Sequence, residues 1–121
     1  MDNKDLLKLL TPDMTEHEQQ KALYDLGYTQ YVHKFTDYYG DGDCYVWMAG
    51  GSKCSLADLA FRLRDDAKYI HRTSFVRAVK MIYAHCGDGK KTSRENIWSW
   101  FSREAKPIHW VIASLIAIRS N

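Results

Sequence analysis

YTQYVHKFTDYYGDGDCYVWMAGG, residues 28–51, is the stretch on which the fold turns. Two runs rich in β-branched and aromatic residues flank a glycine and aspartate cluster, the pattern of a β-hairpin, with Gly40 and Gly42 free to take positive φ. In an extended strand alternate residues share a face. Tyr31, His33 and Phe35 therefore lie on one side of the first strand, and Val32, Lys34, Thr36 and Tyr38 on the other. Neither face is cleanly polar, so the hairpin is sandwiched, or packed on one side and used for contact on the other. Tyr31, Phe35, Val46 and Trp47 are its expected contribution to the core or contact surface.

Helical patterns surround the hairpin. Before it, a short helix from Asn3 to Leu10 stops at Thr11-Pro12, because proline cannot continue a helix. Thr15-x-x-Glu18 reads as a capping box opening a helix from Glu16 to Leu26, closed by Gly27. After Gly50-Gly51, Ser55-x-x-Asp58 caps a helix to Asp66, with Leu56, Leu59, Ala60 and Leu63 on one face. A further helix from Ser74 to His85 turns Phe75, Val79 and Ile82 inward and ends at Gly87-Asp88-Gly89. Thr92-x-x-Glu95 opens a helix carrying Ile97, Trp98, Trp100 and Phe101. Pro107 starts the last one, IHWVIASLIAI, with Ile108, Val111, Ile112, Leu115 and Ile118 along one face and Trp110, Ala113 and Ala117 along the other.

A helix apolar on every side must be buried on every side, in the core or against a second molecule. The two arrangements place Trp110 differently, in packing or at an uncovered flank suited to self-association. The 121 residues are enough for one ordinary hydrophobic core. The expectation is an α+β fold: a mostly helical single domain over residues 1–121, with one short antiparallel β-hairpin packed against helices.

Composition narrows the function classes. Apolar residues make up 45% and charges 26%, with both signs interspersed, which is the balance of a folded globular chain. No window approaches a membrane span, and MDNKDLLKLL carries acids where a secretory signal carries its basic segment. A soluble, cytoplasmic protein without membrane contact is expected. Three cysteines, Cys44, Cys54 and Cys86, are then expected to be free and buried.

The net charge of +2 is unevenly distributed. Residues 1–43 hold four Lys and nine acids, residues 44–94 hold ten Lys/Arg and four Asp, and residues 95–121 add three and two. The acidic and basic parts either complement each other in the fold or offer the basic stretch to a partner. Arg62, Arg64, Lys68, His71, Arg72, Arg77, Lys80, Lys90, Lys91 and Arg94 span two helices and suggest a helix-turn-helix reading a major groove. Against this, the connector AKYIHRT lacks a turn glycine, and the second helix lacks base-reading Arg, Asn and Gln at its start. The overall pI of 8.4 is also low for a duplex binder.

No catalytic constellation emerges. Cys86 adjoins His85, but neighbours on a helix point about 100° apart and rarely meet. Cys44, Cys54, His85 and Cys86 could supply a Cys3His set, yet lack the close pairs of structural zinc sites. Asp37, Asp41 and Asp43 miss the calcium-loop spacing and suit a hairpin turn. No cofactor, no metal and no enzymatic activity are expected. An active site assembled from scattered residues is the third possibility after protein binding and nucleic-acid binding.

At SLADLAFRLRDDA (55–67) and KPIHWVIASLIAI (106–118) the chain resembles small orphan proteins of bacteriophages and prophages, whose core is a helix–hairpin–helix sandwich. The helix from Glu16, the hairpin and the helix from Ser55 would supply that core, about half the chain. The resemblance implies a bacterial host cytoplasm and a non-enzymatic accessory role, binding a host protein, for example as an inhibitor of a bacterial defence system. Trp98, Trp100, Trp110, Tyr38 and Tyr45 are the candidate partner-binding residues, with homo-oligomer formation through the same apolar surface. The alternative is a small nucleic-acid-binding regulator using Arg62 to Arg94.

Overall fold

The computed structural model describes residues 3–11, 13–36, 42–86, 99–103 and 105–119. They form a mostly helical α+β arrangement with a three-stranded antiparallel sheet. The chain divides into two compact units, Met1–Leu59 and Ala60–Asn121.

The first unit begins with α1 (Asn3–Leu7), which tightens into a 3-10 turn at Lys8–Leu10. Leu6, Leu9 and Leu10 are buried. The capping box forms as its spacing requires: Thr15 Oγ1 accepts from the Glu18 N–H at 3.2 Å, and Glu18 Oε1 accepts from the Thr15 N–H at 3.3 Å. From this cap α2 runs Glu16–Asp25, and Gly27 leaves it with φ of 100°. Gln19, a buried polar residue of α2, donates its amide to the Leu9 carbonyl at 3.0 Å and ties the helix to the 3-10 turn.

The hairpin forms with β1 (Val32–Thr36) and β2 (Asp43–Ala49) in antiparallel register, Val32 opposite Trp47 and Phe35 opposite Cys44. Gly42 has φ of 106°, while Gly40 and the rest of the turn at 37–41 lie outside the described residues. A third strand, β3 (Ser52–Lys53), extends the expected hairpin. Its cause is Gly50-Gly51, both at positive φ, the two-residue turn that matches strand twist.

The packed face of the hairpin differs from expectation. Val32, Tyr45 and Trp47 are buried and α2 packs on both long strands, whereas Phe35 is 49% exposed and Val46 half-buried. Val46 and Trp47 are neighbours in an extended strand and so cannot share a face. α2 meets the other side, where its Glu16 accepts from Trp47 and its His17 and Tyr24 meet Tyr45, and these contacts set the orientation. Nor are the cysteines buried: Cys44 is exposed on the outer face opposite Phe35, and Cys54 and Cys86 are intermediate.

Ser55 Oγ accepts from the Asp58 N–H at 3.1 Å and opens α3, which spans Leu56–Ile70, four residues beyond its expected end. α4 follows at Arg72–Cys86. The expected connector is therefore helical except at His71, whose N–H reaches Ala67 O at 3.0 Å and whose carbonyl accepts from Phe75 N–H at 2.8 Å. No three- or four-residue turn separates the helices, so the helix-turn-helix arrangement is not formed.

In the second unit Phe75, Ala78, Val79, Ile82 and Tyr83 form the buried face of α4, which packs on α6 (Pro107–Arg119). Residues 99–103 are helical (α5) and contribute the buried Phe101. The turn glycines at 87 and 89 and the Thr92-x-x-Glu95 cap lie outside the described residues. Pro107 occupies the first turn of α6, where its missing N–H costs nothing. Every residue from Val111 to Ala117 is buried, including Ser114, whose hydroxyl donates to the Trp110 carbonyl at 2.7 Å. The expected uncovered flank is absent there, because the packing of the chain itself dries this helix on all sides.

Candidate binding surfaces

Most of the expected partner-binding aromatics serve internal packing. Tyr45 is buried, with His17 edge-on at 5.7 Å and Tyr24 at 5.6 Å between ring centroids. Trp110, half-buried, stacks on Phe75 at 6.1 Å, meets Phe101 edge-on at 4.5 Å, and carries the Arg64 guanidinium over its ring at 5.4 Å. Three groups of its own unit thus hold the ring, and part of it stays accessible. Trp100 meets Tyr83, Phe101 and His109. Trp98 and Tyr38 lie outside the described residues.

What the first unit leaves open is the outer face of its sheet. His33 and Phe35 of β1 are exposed and touch edge-on at 4.6 Å. Cys44, Val46 and Met48 of β2 share this face, Cys44 exposed and the other two half-buried. A solvated sheet face is ordinarily polar. Here the only ionisable groups among these five are an imidazole and a thiol. On the packed face Lys34 bonds Asp43 at 3.3 Å, and this bond, with Asp43's charge, raises the lysine's pKa. The cation also lies 5.7 Å from the Tyr24 ring.

The second unit exposes different chemistry. Phe61 is 59%, Tyr69 78% and Ile70 71% exposed, all on α3. Sequence reading missed Tyr69 and Ile70 because α3 was expected to end at Asp66, and passed over Phe61, which lies within the expected helix but off its apolar stripe. A helical wheel continued to residue 70 puts Phe61 and Tyr69 off the Leu56, Leu59, Leu63 stripe, which was the available signal. Arg62, Lys68, Arg72, Arg77 and Lys80 are exposed and make no ion pair among the described residues, while Arg64 contacts Asp65 at 3.9 Å and lies over Phe61 at 4.9 Å. His71 is half-buried, and Lys90, Lys91 and Arg94 lie outside the described residues.

The possible reactive groups are apart or quenched. Burial pushes the Cys86 thiol above its ordinary pKa, which lowers the thiolate fraction that nucleophilic chemistry needs, and neighbouring His85 is exposed. Among the described residues no group of three or more His, Cys, Asp or Glu side chains is placed to hold a metal ion. Asp37 and Asp41 lie outside them, and Asp43 faces Lys34. None of the helices among the described residues is long and apolar enough to cross a membrane.

Comparison with known proteins finds no family whose pattern the chain matches, and no curated protein or solved structure similar to it.

Proposed function

We propose that this chain is a non-enzymatic binding module that engages a protein partner through the outer face of the β1–β2 hairpin. The observation that carries the reading is the apolar character of that face: Phe35 stands 49% exposed opposite Cys44, and the half-buried Val46 and Met48 follow along β2 on the same face, where solvent contact alone would select polar side chains. Aromatic and methionine side chains are the types favoured in interface cores. A second copy of the chain could use the same face, giving a homo-oligomer.

The biological setting follows from the resemblance at residues 55–67 and 106–118. It makes the protein a phage- or prophage-borne accessory factor in the bacterial cytoplasm, and the partner a host protein, with inhibition of a defence system as the outcome. Affinity purification of the tagged protein from such a host tests this against Phe35→Asp and Val46→Lys. The expected result is one protein retained by the parent chain, or a dimer seen by light scattering, and lost in both variants at an unchanged unfolding midpoint. Retention of the same protein by both variants, or a monomer that retains nothing, overturns it.

A further inference from the structure

Charge divides at the same place as structure. Residues 1–59 hold five Lys against ten Asp and Glu, and residues 60–121 hold twelve Lys and Arg against five, leaving −5 and +7. The overall pI of 8.4 averages an acidic unit with a strongly basic one. Within the basic unit, residues 60–86 carry six Lys and Arg against two Asp. Of the six, Arg62, Lys68, Arg72, Arg77 and Lys80 are exposed, and none of them forms an ion pair among the described residues. Cations arranged in this way raise the local concentration of a polyanion.

The aromatic residues narrow the choice of polyanion. At about 100° per residue, Phe61, Arg62, Lys68 and Tyr69 occupy one side of α3, with the two rings about 12 Å apart along the axis. The Arg64 guanidinium lies over one face of Phe61 at 4.9 Å, and Lys68 precedes Tyr69 in the chain, so cations accompany both rings. Asp65 shares this side, but its carboxylate faces Arg64. Asp66 lies about a quarter turn away. Aromatic side chains interleaved with cations are the elements by which proteins hold unpaired bases and the phosphates between them. Rings projecting from a helix cannot stack on bases already paired within a duplex, and α3 and α4 lack the turn that duplex reading requires.

We infer that the exposed side of α3, extended by Arg72, Arg77 and Lys80, binds single-stranded nucleic acid, with Phe61 and Tyr69 stacking on bases and the cations holding phosphates. This surface belongs to residues 60–121 and is independent of the protein-binding reading of the hairpin.

The test is fluorescence anisotropy of the whole chain with a labelled 20-nucleotide oligo(dT), an abasic strand of equal length, a duplex and poly-glutamate. Binding of oligo(dT) should weaken with salt, with a logarithmic slope of about −2 to −3.5 for three to five phosphate contacts to a single strand. Tyr69→Ala and Phe61→Ala should each weaken oligo(dT) binding about tenfold and leave the abasic strand unaffected. The pair Lys68→Glu, Arg72→Glu should abolish both. All four positions are exposed, so unchanged unfolding midpoints are expected. Absence of binding at 50 mM salt, equal affinity for duplex or poly-glutamate, or indifference of oligo(dT) binding to both aromatic variants overturns the inference.

Discussion

The indole N–H of Trp47 in β2 donates to the carboxylate Oε1 of Glu16, the first residue of α2, at 2.8 Å and across 31 residues of sequence. The bond fixes the start of the helix over the strand and satisfies a polar atom on a buried ring. Glu16→Ala leaves that N–H without its acceptor, and the expected cost is about 1–2 kcal/mol in urea unfolding. Glu16→Gln keeps an acceptor and should cost less. Equal midpoints for all three chains would show that the bond does not hold helix to sheet.

Gly42 enters β2 at φ of 106°, a region that β-branched residues strongly resist. Gly42→Val should lower stability by about 1–2 kcal/mol, although nothing stands within 4 Å of the position of an added Cβ. Gly42→Asn should cost less. A valine variant as stable as the parent would mean that the backbone can leave this conformation freely.

Trp110 packs on Phe75 and Phe101 and lies under Arg64, so Trp110→Ala should act on folding and not on association. A loss of about 3 kcal/mol is expected for truncating an aromatic of this size, at unchanged molar mass by light scattering. A double-mutant cycle with Arg64→Ala should isolate about 0.5–1 kcal/mol for the cation over the ring. A change of mass without loss of stability would return Trp110 to the surface.

Burial, the largest influence on it, holds the His109 pKa below its ordinary value of 6.5. The Lys106 N–H donates to its Nδ1 at 2.9 Å, a bond that only an unprotonated nitrogen can accept. The unfolded chain therefore binds the proton more readily than the folded one, and stability rises with pH across this window. His109 contributes fully above about pH 6.5, and the contribution is lost as pH falls below that value toward the depressed folded pKa. Unfolding midpoints of the parent should decline between pH 7 and 5 more steeply than those of His109→Gln, which retains a side-chain acceptor for the Lys106 N–H. Parallel profiles would assign the acid sensitivity elsewhere.

Where local chemistry decides, the sequence could be read directly. The Thr15–Glu18 box, the Ser55 cap, Pro107 and the hairpin flanks all act within a few residues of themselves, and each appears in the structure. Which hairpin face is buried depends on what α2 brings against it, through Glu16, His17 and Tyr24, and no alternation within β1 contains that information. The short β3 was legible in Gly50-Gly51 but carries only two residues. Tyr69 of the α3 surface was hidden by an early helix end, and Phe61 stood off the apolar stripe that drew the reading. His71 alone interrupts the helices, where a charged and polar connector had suggested a loop.

Trp47 is the single tryptophan of residues 1–59, the other three standing at 98, 100 and 110. Its ring is 3% exposed and its N–H is held by a carboxylate, so its emission responds to separation of α2 from the sheet. With the three later tryptophans replaced by phenylalanine, this one fluorophore reports the melting of the first unit alone, while circular dichroism follows all helices. Coincident transitions would make the two units one cooperative system, and separated ones would assign each its own stability.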